Sequence, residues 1–281
     1  MNKIILSSDS TCDLSDALVK EYGVKICPIA ILLGDELRHD TVDVNATDVL
    51  EYVGKTGTLP KTSATSAADY KEWFEKLTEG GNEVLHFCIS SKSSSCFDHA
   101  KEAAAEVENV FVVDSYCLSS AQGIEIARAA KLIGEGKTAK EIYEEITSTV
   151  EKVQLSFVVD KLEFLHKGGR CSSTALIASK MLKIHPVIST KDGALCVKKK
   201  YMGNLNRVLT QYVSDLAVEY KNYDPRLCFI THSPSDKEIV DLVKNLVSEK
   251  FAFERVEETI AGSTVTSHCG YNTIGVIFYN K

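Results

Sequence analysis

Glu83-Val84-Leu85-His86-Phe87-Cys88-Ile89, then Ser90-Ser91-Lys92-Ser93-Ser94-Ser95-Cys96, then a polar–apolar run from Phe97 to Glu108, is the stretch whose reading decides the fold. The first part reads as an apolar strand and the last as a helix starting near Phe97. A strand that feeds a helix through hydroxyl-rich backbone gathers first-turn N–H groups and O–H donors at one point. That point lies at the carboxyl end of the strand, where open α/β sheets bind ligands. The donors are neutral and only Lys92 is charged, which suits a weakly charged head group such as a carboxylate better than a polyphosphate. The same serines could equally be helix caps on a surface loop, and the pattern alone does not choose.

The same alternation runs outward from this stretch. Lys3–Leu6 reads as a first strand ending in the hydroxyl-rich loop Ser7 to Thr11, and Ser15 caps a helix of Asp16–Tyr22 that Gly23 stops. Val24–Leu33 reads as one buried strand, the segment Gly34–Val44 has no clear pattern, and a helix covers Ala46 to Lys55. Thr58–Ser66 lacks periodicity. Ser66 with Asp69 opens a helix over Ala67–Glu79, with Tyr70, Trp73, Phe74 and Leu77 on one face. Val110–Val113 is a strand ending in Asp114-Ser115, a helix spans Ser119–Gly134, and Thr138 with Glu141 forms a capping box. Leu155–Val159 reads as a further strand. Apolar strands alternating with helices argue for a parallel sheet covered on both faces.

Beyond Asp160 the character changes. Leu162 to Arg170, with Gly168-Gly169 before the arginine, leads to a helix expected from about Ser172 to Leu182. Pro186–Thr190 and Ala194–Lys200 read as a hairpin around Lys191-Asp192-Gly193. Helices are expected at Asn204–Tyr220 and, capped by Ser235 with Glu238, at Asp236–Lys250. Strands are expected at Leu227–Thr231, Phe253–Glu257 and Ile274–Tyr279. A hairpin among helices points to a mixed sheet. The expected fold class is therefore α/β, with two three-layer α/β/α domains at 1–159 and 160–281, the first sheet mainly parallel and the second mixed.

Composition narrows the function classes. The 281 residues are 44% hydrophobic and 25% charged, with a formal net charge of −7, so no basic footprint for nucleic acid exists. Nine cysteines are scattered without a C-x-x-C pair, several inside apolar strands (Cys27, Cys88, Cys228). That usage fits free buried thiols in a reducing compartment, and the expected location is cytoplasmic. No apolar run is long enough to span a bilayer. There is no phosphate loop, no dinucleotide fingerprint, no H-E-x-x-H, no nucleophile elbow and no metal-ligand spacing, so neither cofactor nor metal is expected. What remains is a set of polar stretches at strand ends: Ser7–Thr11, Thr62–Ser66, Ser90–Cys96 and Asp114-Ser115. Arg170 could pair with a carboxylate, and Gly168-Gly169 could let backbone approach it, or the three could form a plain turn. His268 is a lone histidine before the last strand.

In their order along nearly the whole chain these segments resemble the DegV family of bacterial fatty-acid-binding proteins. The matching residues are Asp9-Ser10 with Asp13-Leu14, Thr62-Ser63-x-x-Ser66, Ser90-Ser91-x-x-Ser94 and Val113-Asp114-Ser115. They continue with Leu162-Glu163-Phe164-Leu165 and Gly168-Gly169-Arg170, Lys183-Ile184-x-Pro186, and His268-x-Gly270. The resemblance implies a two-domain binding protein, not an enzyme, that holds one long-chain fatty acid between its domains. It implies that Thr62, Ser63, Ser94 and His268 meet the carboxylate, with Arg170, Gly169 and Ser115 supporting the site. It further implies a carrier role in bacterial phospholipid synthesis, with the acid presented to a separate fatty acid kinase that forms an acyl phosphate. Family members carry a basic stretch after the second-domain hairpin for kinase docking; here the stretch reads Lys200-Tyr201-Met202-Gly203-Asn204. Two other readings stand beside the carrier: an acyl hydrolase or transferase with Ser94 as nucleophile and His268 as base, and a lipid-responsive interaction protein.

Overall fold

The computed structural model of the chain describes residues 3–170 and 184–281; the expected helix at Ser172–Leu182 and Lys183 of the Lys-Ile-x-Pro motif lie outside the described residues. Strand β1 (Ile4–Asp9) runs three residues past the apolar segment, because Ser7, Ser8 and Asp9 are buried and bonded inside. Ser7 Oγ meets His86 Nδ1 at 2.9 Å and accepts Trp73 Nε1–H at 2.9 Å. Part of the expected first loop is thus interior strand. A single 3-10 turn at Ser10–Cys12 leads to helix α1 (Asp16–Tyr22), where Ser15 Oγ accepts the Leu18 N–H and Gly23 ends the helix at φ 67°.

The expected strand Val24–Leu33 is split by Pro28, which has no N–H for a ladder. Its halves are β2 (Lys25–Cys27) and β3 (Ala30–Leu33), in different sheets. Strand β4 (Glu36–His39) and helix α2 (Ala46–Thr56) follow, then β5 (Lys61–Ser63) inside the segment that lacked periodicity. Helix α3 (Ala67–Thr78) buries Tyr70 and Phe74 as its spacing requires. Next come β6 (Glu83–Cys88), α4 (Cys96–Ala104), β7 (Val110–Asp114), α5 (Ser120–Gly134) and α6 (Ala139–Thr147), the last with the Thr138–Glu141 capping box formed.

Strands β8 (Val153–Gln154) and β9 (Ser156–Val158) precede helix α7 (Glu163–Lys167). The hairpin is β10 (Ile184–Lys191) and β11 (Ala194–Met202), and its two central residues, Asp192 and Gly193, both have positive φ, as a tight two-residue turn requires. Then come α8 (Leu205–Glu219), β12 (Tyr223–His232), α9 (Lys237–Lys250), β13 (Val256–Ile260), α10 (Ser263–Cys269) and β14 (Ile274–Asn280). The expected Ser235 cap of α9 is not made. Ser235 Oγ donates to Ser233 O at 2.7 Å, and the capping position falls instead to Asp236, which makes no side-chain cap bond.

The protein is α/β with one parallel and one mixed sheet. The parallel sheet has the order β2-β1-β6-β7, with α3 and α4 on one face and α5 and α6 on the other. The mixed sheet has the order β11-β10-β9-β14-β12-β13, with β8 also on β14, and only β12–β13 is a parallel pair. The segment Leu155–Val159, read as continuing the parallel sheet, instead lies antiparallel between β10 and β14. A strand buried on both faces is apolar throughout in either kind of sheet, so its composition carries no pairing direction. Strand pairing thus passes to the second sheet at Val153, ahead of residue 159. A small antiparallel sheet β4-β3-β5 pairs Ile31 with Thr62.

One face of the mixed sheet (Val158, Val187, Ile230, Val276, Phe278) packs on α8 and α9. The alternate residues (Leu155, Phe157, Ile188, Phe229, Ile277) face α1 and α5 on the opposite side, following the two-residue period of a strand. Helix α5 touches strands of both large sheets. Its Gln122 Nε2 donates to Ser8 Oγ at 2.7 Å and to Phe87 O at 2.9 Å, while Ser120 hydrogen-bonds Thr231. One helix therefore fixes the spacing of the sheets, and a cavity opens between them.

Candidate functional site

The cavity has a volume of about 550 Å³. Its apolar wall includes Leu118, Leu155, Phe157, Leu195, Val265 and Ile277. Its polar wall brings together, from segments far apart in sequence, Thr62, Ser63, Ser94, Arg170 and His268. Among the described residues no cluster of histidine, cysteine or acidic side chains has the form of a metal site.

The central contact is Thr62 Oγ1 to His268 Nε2, 3.0 Å, across 206 residues. Thr62 sits on β5, whose pairing with β3 aims alternate side chains at α10. His268 sits in the last turn of α10, and both ends of that helix are held. At its start Asp13 Oδ1 accepts the Gly262 N–H at 2.8 Å, and Asp40 accepts the Ser263 and Thr264 N–H groups at 2.9 and 3.2 Å. These carboxylates satisfy N–H groups that a helix start leaves open and lie at its positive end. Burial pushes the Asp13 carboxyl well above the usual carboxylate range. At the other end α10 packs on α7. A Cβ at Gly168 would lie 2.5 Å from His268 Nδ1, and one at Gly270 would lie 2.6 Å from the Phe164 ring. The glycines are what let histidine and helix end approach so closely.

Burial, with a smaller contribution from the Arg170 charge, lowers the His268 pKa from 6.5 to about 4. The imidazole is therefore neutral near pH 7. Its Nδ1 has no hydrogen-bond partner among the described residues. Arg170 Nη1 donates to Gly168 O at 2.8 Å, so the guanidinium folds back over the α7 terminus at the cavity mouth. In the serine loop, Ser94 Oγ accepts the Cys96 N–H at 3.3 Å and donates to Cys96 Sγ at 3.2 Å. Ser95, at the start of α4, makes no side-chain cap bond. Ser90 Oγ reaches away from this site to Gly193 O at 2.7 Å, tying the loop to the hairpin tip.

Two expected supports are placed elsewhere. Ser115 is fully buried, with Oγ donating to Cys117 O at 3.2 Å, and does not line the cavity. Gly169 is exposed, with φ 69°, and forms the turn that carries Arg170 rather than a wall of the cavity. Ser94 and His268 are not hydrogen-bonded to each other; the imidazole is engaged by Thr62. A serine nucleophile paired with that base is thus not assembled here.

Several residues that build the site were not legible. Asp40 lay in the segment without pattern, and α10 went unseen because Ser263-Thr264-Val265-Thr266 is rich in β-branched and hydroxyl residues of low helix propensity. The one available signal was the order strand, Ala261-Gly262-Ser263, then β-branched run, which repeats the strand-to-helix turn of the serine loop.

The lowered His268 pKa has a stability consequence with a definite sign. The unfolded imidazole takes a proton near pH 6.5, whereas the folded one resists until about pH 4. Its contribution is therefore intact above pH 6.5 and is lost as pH falls from there toward 4. Comparing urea unfolding of the wild type with His268→Gln, the wild type should lose about 1–2 kcal/mol relative to the variant between pH 7 and pH 5. A difference that stays flat over that range, or an NMR titration of His268 centred near 6.5, would contradict the neutral buried imidazole.

Comparison with known proteins agrees with the architecture. The model of the DegV family, described as a family of uncharacterised proteins, matches residues 3–281. A DegV domain-containing protein of Clostridium acetobutylicum is 28% identical over 285 residues, covering all of both chains. Among solved structures, a DegV family protein from Thermus thermophilus, determined in connection with fatty acid binding, superposes with a TM-score of 0.90 at 25% identity, covering 99% of this chain and 100% of that one. A stearic acid-binding protein from Eubacterium ventriosum gives a TM-score of 0.84 at 25% identity, covering 100% and 99%. With the family model matching from residue 3 to the last residue and the fold reproduced throughout, the chain belongs to the DegV family.

Proposed function

We propose that the chain is a carrier of one long-chain fatty acid, bound in the cavity between the two sheets, with its carboxylate at Thr62, Ser63, Ser94 and His268. The observation that carries this reading is the pairing of Thr62 with a neutral His268 at the polar wall of a 550 Å³ cavity whose other wall is Leu155, Phe157 and Ile277. Each methylene moved from water to such a wall contributes roughly 0.8 kcal/mol, so a chain of about sixteen carbons gains on the order of 10 kcal/mol. A carboxylate buried beside it is costly unless donors meet it. The three hydroxyls, the imidazole and the Arg170 guanidinium supply them. The fatty acid and stearic acid binding of the two relatives in solved structures supports the same ligand class.

The second part of the proposal is delivery: the bound acid is presented to a separate fatty acid kinase, which phosphorylates the carboxylate. Neutral hydroxyls and a neutral imidazole hold the carboxylate without a tight lysine pair, leaving its oxygens free to attack a phosphoryl group. Ser94 is occupied with Cys96 rather than with His268, which favours the carrier over a serine acyl hydrolase. The exposed Met202 stands at the end of β11, where electrostatic docking of a kinase would use a basic side chain. No helix among the described residues is long and apolar enough to cross a membrane.

Native mass spectrometry of the purified protein, followed by lipid extraction, tests the ligand. A one-to-one adduct of long-chain fatty-acid mass is expected. Replacing Thr62 and Ser94 together by alanine removes two hydrogen bonds to a charged group and should weaken binding at least about a hundredfold. A protein that is empty and takes up neither palmitate nor oleate would end the carrier reading. Undiminished binding in the double variant would move the carboxylate elsewhere.

A further inference from the structure

The lining of the cavity carries more positive charge than a carboxylate uses. Among the described residues it includes no aspartate or glutamate and two side chains with a standing positive charge, Arg170 and Lys92, in a chain whose formal net charge is −7. The lining histidines leave this balance as it is. His268 is neutral, and His232 turns its nitrogens to Ser233 O at 2.7 Å and to Glu258 at 3.4 Å. Lys92 is exposed and has no ion-pair partner among the described residues, so its ammonium is free. The root of the side chain is fixed. The Lys92 N–H donates to Ser90 Oγ at 3.2 Å, that hydroxyl donates to Gly193 O at 2.7 Å, and a Cβ at Gly193 would lie 3.3 Å from Lys92 Cγ. The tip of the β10–β11 hairpin thus props the lysine stem, two residues before Ser94 in the serine loop.

A carboxylate carries one negative charge, which Arg170, the hydroxyls and the imidazole meet between them. Phosphorylation raises that charge. A carboxylate oxygen bonds to the terminal phosphorus of a nucleoside triphosphate, the bond from that phosphorus to its bridging oxygen breaks, and the nucleoside diphosphate leaves with the electron pair; no proton moves. The ligand then ends in a phosphoryl group, and a phosphate monoester carries about −1.5 to −2 at pH 7. We infer that Lys92 recognises the transferred phosphoryl group, so that the cavity holds the acyl phosphate more tightly than the acid. The inference rests on the delivery reading above and deepens it by naming the residue that tells product from substrate. A lysine suits the task, because its ammonium is a compact charge with three rotatable donors that meets a phosphate oxygen as a point charge.

Hexadecyl phosphate serves as a stable stand-in for the acyl phosphate, and palmitate is the acid of matching chain length. Both are titrated into the delipidated wild type, Lys92→Met and Lys92→Arg, and the ratio of the two affinities is read in each. The wild type is expected to bind hexadecyl phosphate at least about tenfold more tightly than palmitate. Lys92→Met keeps the length of the side chain without its charge and should lose that preference, whereas Lys92→Arg should keep it. An unchanged ratio in Lys92→Met would overturn the inference. An equal loss of affinity for both ligands would overturn it as well, since Lys92 would then attract any anion. So would a Lys92→Arg variant that loses the preference as completely as Lys92→Met, because the charge would not be what is read. A wild type that binds palmitate without preferring hexadecyl phosphate would overturn it and leave fatty-acid binding standing. Failure of both ligands to bind the wild type would remove the fatty-acid reading itself, and this inference with it.

Discussion

Gly168→Val should abolish fatty-acid retention and lower the melting temperature of the protein. Gly168 has φ −72°, an ordinary value, so its absence of a side chain serves space rather than backbone conformation. A Cβ there would lie 2.5 Å from His268 Nδ1 and 2.9 Å from Phe164 O. The carbonyl belongs to the turn that ends α7 and accepts the Gly168 N–H at 2.8 Å, so it has no room to retreat. The imidazole is held from the other side by Thr62. Either the histidine leaves its place, taking the carboxylate site with it, or α7 lifts from α10. Forced overpacking of this kind costs about 1–3 kcal/mol even where partial relief is found. Co-purified lipid measured by mass spectrometry, with thermal unfolding of the same sample, reads both effects. Wild-type lipid content in a folded Gly168→Val protein would show that His268 does not depend on this contact.

Asp40→Ala should be the most destabilising single change at the start of α10. Asp40 is 1% exposed and gathers three donors: the Ser263 and Thr264 N–H groups and Ser10 Oγ at 3.0 Å. Removing the carboxylate leaves all three buried without an acceptor, at about 1–3 kcal/mol each before relaxation. Some of this is recovered by water entering the space. A net loss on the order of 3 kcal/mol in urea unfolding is expected. Because α10 carries His268, lipid affinity should fall in parallel with stability. A variant with unchanged unfolding midpoint would mean that α10 is positioned by Asp13 and by its packing on α2 and α7 rather than by Asp40.

These two positions illustrate which contacts were readable beforehand. Local features were. The Ser15, Ser66 and Thr138 caps, the Gly23 stop and the Asp192-Gly193 turn all formed where their spacing put them, because each depends on a few neighbouring residues and a fixed dihedral preference. The serine loop at the end of β6 is likewise where the strand-to-helix pattern located it, and it does line the cavity. Ser115 shows the limit of that rule: it ends β7 in the same manner, yet its hydroxyl turns inward to Cys117. Ending a parallel strand places a residue at the right edge of a sheet but does not say toward which neighbour its side chain turns.

The amino-acid sequence by itself determined the α/β class, most of the element boundaries and, through the order of its motifs, the family. The tertiary structure alone decided that residues 153–158 pair antiparallel in the second sheet, that Thr62 and not Ser94 engages His268, and that Asp13 and Asp40 hold the start of α10. The physical reason is range. Caps, turns and periodicities are set within a few residues by backbone sterics and local hydrogen bonds. The Thr62–His268 contact, by contrast, joins groups 206 positions apart, and only the packing of α10 against α2 and β5 brings them within 3.0 Å.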